Sequence, residues 1–168
     1  VELANTLHKK VYVVLNGYTF QDDLEKLPYF LEKLEKAKVH ALIISDLGTM
    51  RLARKYTSRH LHTSTQASVS NWKAAEEWKK VGAKRVVVAR ECDIKECKEI
   101  QEKANIEVET FVHGAMCVSY SGKCTISNYS SGRDSNRGGC IQTCRHPFEF
   151  TNEKNEDPIY LMNAKDLM

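Results

Sequence analysis

Five short strand-like runs recur along the chain, four of them rich in Val, Ile or Leu and the third more polar, with helix-like segments between them. The runs are residues 11–16, 41–45, 60–65, 85–89 and 106–112. The first reads V-Y-V-V-L-N and the fourth R-V-V-V-A. Continuous β-branched runs of this length predict strands buried on both faces. Between them, residues 22–38 place Leu24, Leu27, Leu31 and Leu34 at three- and four-residue steps, the stripe of an amphipathic helix. Pro28 falls inside that stripe, so a kink or a helix start is expected there. Leu47–Tyr56 and Ile94–Ala104 also read as helices, the latter with Asp93 as its cap. Residues 71–81 form another, with Asn71 as cap and Gly82 as stop. Strand–helix alternation at this spacing implies parallel β/α units.

Two architectures fit: an open doubly wound sheet and a (β/α)8 barrel. No G-x-G-x-x-G follows the first strand, which weakens a dinucleotide-binding sheet. A complete barrel takes about 200–250 residues, whereas this chain has 168 and supplies five units. Its opening V-E-L-A-N-T-L-H reads as the end of a helix already under way. The expectation is one α/β domain over residues 1–168, an incomplete TIM-like barrel holding about strands 3–7. In a barrel, residues at the C-terminal strand ends face one shared site. Here these are Asn16, Asp46, Thr65 with Gln66, Arg90 with Glu91, and His113 with Gly114. Any one of them serves equally well as a helix cap, but together they predict a site.

Charge narrows the function classes little. Charged residues make up 28% and the net charge is +3, an ordinary soluble balance that does not by itself indicate nucleic-acid binding. No apolar run approaches the ~20 residues of a membrane span, and no secretory pattern opens the chain. A cytoplasmic α/β enzyme is expected. H-E-x-x-H and G-x-S-x-G are both absent, so the zinc-protease and serine-hydrolase templates fail.

Six cysteines are present, and four of them fall in one loop-like region, residues 113–150, rich in Gly, Ser and Asn. Six residues separate Cys117 from Cys124, fifteen separate Cys124 from Cys140, and three separate Cys140 from Cys144. Zinc ribbons favour paired C-x-x-C, whereas an iron–sulfur cluster accepts more varied spacing of its usual four thiolates. Gly114, Gly122, Gly132, Gly138 and Gly139 allow the tight turns such convergence needs. Lys123, Arg133, Arg137 and Arg145 add positive charge that favours thiolates and an anionic substrate. The bland alternative is inert buried thiols or a Cys117–Cys124 disulfide. Cys92 and Cys97 lie outside the cluster and read as small, partly buried packing residues.

Residues 109–127, E-T-F-V-H-G-A-M-C-V-S-Y-S-G-K-C-T-I-S, resemble the diagnostic motif of the collagenase-like peptidase family U32. Glu109, Phe111, Gly114, Ala115, Met116, Cys117, Gly122, Cys124, Ile126 and Ser127 fit it at fixed steps. N-R-G-G-C-I-Q-T-C-R, D-L-G at 46–48 and H-T-S-T-Q-A at 62–67 resemble further parts of the family. The resemblance implies an iron–sulfur protein, with a [4Fe–4S] cluster on Cys117, Cys124, Cys140 and Cys144. In some members the fourth ligand lies further along the chain. It also implies oxygen-independent hydroxylation of a tRNA or ribosomal RNA base, with prephenate as hydroxyl donor in RNA-acting members. A later K-I-E-G-R segment of the family is absent from this sequence.

In this reading Glu109 and His113 handle protons or position substrate beside the cluster. Gln66, Arg90 and Glu91 line the opposite wall, and Arg133, Arg137 and Arg145 meet RNA. Tyr120 and Tyr129 stack on a base or, more simply, pack the loop. Two other classes remain open. One is a peptidase acting on protein or peptide, with a cysteine nucleophile and His113 as base. The other is a non-catalytic scaffold paired with a second U32-type barrel.

Overall fold

The computed structural model describes residues 1–149 and 159–162. Residue 150, the end of the predicted cysteine-rich region, lies outside them. A short helix α1 (Glu2–Thr6) precedes β1 (Tyr12–Leu15), α2 (Gln21–Lys36), β2 (Ala41–Ile44), α3 (Leu47–Tyr56) and β3 (His60–Thr63). Then come α4 (Trp72–Lys80), β4 (Arg85–Val87), α5 (Ile94–Ala104), β5 (Glu107–Glu109) and α6 (Ile126–Ser131).

All four strand pairings are parallel, and the strands lie in sequence order, β1-β2-β3-β4-β5. Right-handed crossovers that always step in one direction leave the helices on one face and curl the sheet toward a barrel. A doubly wound sheet would reverse direction once. Among the described residues the sheet is not closed, and β1 and β5 are its two edges. The structure is therefore an arc of parallel β/α units, as the sequence predicts.

Alternation along the strands separates two faces. Val13, Leu15, Leu42, Ile44, Leu61, Val86 and Val108 pack with Leu31, Met50, Ala53, Ala75, Trp78 and Ile100 from the helices. The other face mixes Val14, Ile43 and Val87 with a polar cluster. Arg85 donates to Glu107 at 3.0 and 3.1 Å and to Glu109 at 2.9 Å. Beside it the Tyr12 and His62 rings meet edge-on at 5.1 Å. His62 is buried, and that burial, reinforced by the Arg85 charge, holds its imidazole below the ordinary range.

Local signals act as expected at two helix starts. Asn71 Oδ1 accepts from the Ala74 amide at 2.9 Å, and Asp93 and Glu96 cap each other reciprocally at 2.7 and 2.8 Å. Three features differ. Helix α2 does not start at Pro28 but runs through it. The proline removes one backbone donor, while Leu27, Leu31 and Leu34 still bury against the sheet. β4 and β5 are shorter than residues 85–89 and 106–112; β4 ends where the Ala89 amide turns to the Val69 carbonyl at 2.9 Å. The stretch read as loop contains α6, whose stop is Gly132 in the left-handed conformation, φ 66°.

Candidate functional site

The cysteine-bearing segment is pinned across the C-terminal ends of β3 and β4. Ser121 is fully buried; its amide donates to Glu91 Oε1 at 3.0 Å and its hydroxyl to Glu91 Oε2 at 3.2 Å. The Arg90 amide donates to Ser121 Oγ at 3.2 Å. Next to it, Gly122 adopts φ +73° and lies flat on the Gln66 backbone, where a Cβ would stand 2.2 Å from the Gln66 carbonyl oxygen. Only glycine meets both demands. The pin sits between Cys117 and Cys124, so it fixes the turn that joins those two thiols.

A second turn, residues 134–139, docks on the β1–α2 loop. The Tyr18 amide donates to the Asn136 carbonyl at 3.0 Å, and Arg137 Nη1 donates to the Tyr18 carbonyl at 2.6 Å. Arg137 also pairs with Asp23 at 2.7 Å and lies 4.4 Å from the centre of the Phe20 ring. The Asn136 side chain, buried, donates to the Cys124 carbonyl at 2.7 Å. The Tyr18 hydroxyl donates to the Gly122 carbonyl. Gly139 closes the turn at a spot where a Cβ would stand 2.5 Å from the Asp134 carbonyl oxygen.

The segment held by these two turns carries Cys117, Cys124, Cys140 and Cys144. Cys144 is buried, and burial pushes its thiol up; Arg145 opposes this, and Cys117, Cys140 and Cys124 each reinforce it through their charge. Cys140 is exposed, and its sulfur accepts from the Gln142 amide at 3.4 Å. Arg145 Nη2 donates to the Met116 carbonyl at 2.7 Å, tying the Cys144 turn to the residue before Cys117. No group of three or more His, Cys, Asp or Glu side chains among the described residues is set up to hold a single metal ion. A four-iron cluster spreads its thiolates wider than one ion does, and four soft sulfur donors among backbone amides suit it chemically.

The strand-end residues divide. Asp46 caps α3 through Thr49 at 2.7 Å, and Asn16 donates to Ser64 at 3.1 Å. Thr65 is buried in a single 3-10 turn, Thr65–Ala67. Gln66 keeps its side-chain oxygen buried with no partner among the described residues. Arg90 lies 5.2 Å from the Phe111 ring centre, while Glu91 anchors the loop. Glu109 pairs with Arg85 in the polar cluster of the sheet. His113, Arg133, Tyr120 and Tyr129 are exposed, and Gly114 is half-buried. Tyr18, Ser121 and Asn136 went unnoticed in the sequence. For Tyr18, the available signal was its place in the loop after a barrel strand.

The sequence matches the profile of peptidase family U32 over residues 1–168. The chain belongs to that family. The tRNA hydroxylation protein P1 of Bacillus subtilis (strain 168) is 41% identical, covering 99% of this chain and 42% of its own length. An uncharacterized protease of Methanocaldococcus jannaschii is 39% identical, covering 99% and 44%. The chain thus spans less than half of either relative. Among solved structures, the U32 peptidase Mk0906 superposes with a TM-score of 0.58 at 17% identity, covering 65% of this chain and 48% of that one. That likeness shows a shared U32 fold.

Proposed function

We propose that this U32 chain supports oxygen-independent hydroxylation of an RNA base, in tRNA or ribosomal RNA. The observation that carries the reading is that the segment bearing Cys117, Cys124, Cys140 and Cys144 is clamped through Glu91, Asn136, Arg137 and Arg145 over the C-terminal end of a parallel β/α arc. In barrels that end is where chemistry sits. The name of the Bacillus subtilis relative supports the reaction class.

In this reading the four cysteines hold a [4Fe–4S] cluster, which when bound supplies one-electron redox chemistry. The hydroxyl donor implied by family resemblance is prephenate. The chain's own residues do the rest. Ser121, Glu91 and Gly122 hold the first pair of thiols. The Gln142 amide stabilises negative charge on Cys140. Arg133 and Lys123, both exposed, add a positive rim for phosphates, with Arg145 beside the Cys144 turn. Glu109 and His113 remain the proton-handling candidates. Arg90 over Phe111 forms a wall against which a base can stack. RNA as substrate implies a cytoplasmic setting, and among the described residues no helix is long and apolar enough to cross a membrane. Residues 1–168 are taken as one domain, and a second U32-type barrel is the protein partner in this reading.

The test is nucleoside mass spectrometry of total tRNA and ribosomal RNA from the source organism. Deleting the gene should remove one hydroxylated nucleoside. The wild-type gene should restore it, and a Cys117→Ala gene should not. Unchanged nucleosides on deletion would overturn the proposal. Restoration by Cys117→Ala would detach the reaction from the cysteine centre.

A further inference from the structure

We infer that Tyr18 is a positioning residue for the cysteine centre, locking two cysteine-bearing turns together through three of its atoms. The inference rests on the reading that these cysteines act as one centre. Tyr18 lies in the loop between β1 and α2, far in sequence from every thiol. Its hydroxyl donates to the carbonyl of Gly122, 104 positions away, in the turn between Cys117 and Cys124. Its amide donates to Asn136 and its carbonyl accepts from Arg137, in the turn before Cys140. Asn136 completes the circuit by donating to the Cys124 carbonyl at 2.7 Å. The chain path from Gly122 through Asn136 to Tyr18 and back to Gly122 is therefore closed by hydrogen bonds.

Such closure bears on the thiols for a physical reason. The segment carrying them is held by little regular structure: α6 spans six residues, and the remaining helical pieces are single turns. Ordering a loop of this length costs chain entropy that scattered contacts must offset. Ser121 and Glu91 secure one turn to β4, and Tyr18 secures both turns to β1. The loop holding Tyr18 is itself fixed: Ser45 donates to the Asn16 carbonyl at 2.8 Å, and Thr19 shares a 2.9 Å hydrogen bond with Thr49 of α3. Arg137 adds the ion pair to Asp23 in the first turn of α2. The barrel strand end thereby sets the separation between the Cys117–Cys124 turn and the turn leading to Cys140. Tyr18 needs no contact with substrate to matter.

Tyr18→Phe keeps the ring and removes only the hydroxyl. The natural full-length chain is purified without oxygen as wild type, Tyr18→Phe, Asn136→Asp and, as a control for an exposed tyrosine, Tyr129→Phe. Two readouts are taken: the rate at which absorbance near 400 nm bleaches in air, and the rate at which N-ethylmaleimide labels Cys124 in metal-free protein, followed by peptide mass spectrometry. Both Tyr18→Phe and Asn136→Asp should raise each rate by about 5- to 10-fold, the factor expected from one lost hydrogen bond. Tyr129→Phe should match wild type. Wild-type rates in Tyr18→Phe would overturn the inference. Colourless wild-type protein would count against the cluster reading alone; the labelling rates would then decide the role of Tyr18 by themselves.

Discussion

Replacing Gly122 by alanine separates two costs that the structure keeps apart elsewhere. The residue has φ +73°, and a Cβ there would stand 2.2, 2.9 and 3.0 Å from the Gln66 carbonyl oxygen, carbonyl carbon and Cα. The obstacle is the backbone of the 3-10 turn after β3, so it cannot swing aside. Left-handed geometry alone costs alanine about 1–2 kcal/mol. To relieve the overlap the turn must lift, and lifting it breaks the Ser121–Glu91 bonds and the Tyr18–Gly122 bond. Each is worth about 1 kcal/mol net, more where the carboxylate accepts. The total expected for Gly122→Ala is about 3–5 kcal/mol. Gly132 is the internal control, with a similar φ of +66° but nothing within 4 Å of the point a Cβ would occupy. Gly132→Ala should therefore cost only about 1–2 kcal/mol. Urea melts give the global difference. Amide exchange at Ser121 shows whether the loss is confined to the docked turn, as partial unfolding would make it. Equal costs for the two variants would refute the close-approach argument.

Three further outcomes follow from the same geometry. Glu91→Ala should leave the buried Ser121 amide and hydroxyl without their acceptor, costing about 1–3 kcal/mol and accelerating exchange of the Ser121 amide; unchanged exchange would mean that Glu91 does not hold the turn. In metal-free protein near neutral pH, N-ethylmaleimide should label exposed Cys140 ahead of Cys144, which burial raises, and Cys92, which burial pushes up to about 11; peptide mapping that finds Cys92 labelled first would contradict the burial assignment. Glu35 accepts from Arg59, Thr57 and Ser58, and the Arg59 hydrogen bond, the largest influence, holds its carboxyl well below the carboxylate range. Because the folded value is the depressed one, its stabilisation is complete above the unfolded value of about 4.3 and fades as pH falls toward the folded value. Glu35→Gln should cost about 1–2 kcal/mol at pH 7, and the gap to wild type should narrow in acid melts below about pH 4.

Much of the scaffold was legible because its signals are short-range. Leu24, Leu27, Leu31 and Leu34 mark one helix face, and Asn71 and Asp93 announce helix starts within three residues of their partners. Strand order was legible only as far as the barrel reading implies that successive strands are neighbours. Pairing that depends on register was not. Glu107 and Glu109 are two residues apart and so share a face, but their partner Arg85 sits 22 and 24 positions away on another strand. Glu109 could thus be read as a site group without any hint of its ion pair. The cysteines themselves stood out, through spacing and motif. The machinery that holds them did not, because Tyr18 meets Gly122 and Arg137 across more than a hundred residues. Helix α6 escaped notice for a related reason. Its Ser- and Asn-rich sequence has weak helix propensity, and it is held instead by the buried Ser127, whose hydroxyl accepts from Ile141 while its amide donates to Ser135.

Iron and acid-labile sulfide content, measured with a visible spectrum on full-length protein purified without oxygen, tests the central claim most directly. The account predicts about four iron and four sulfide per chain with broad absorption near 400 nm, all lost in Cys117→Ala. Colourless, iron-free protein whose Cys117, Cys124, Cys140 and Cys144 all react freely with maleimide would contradict it.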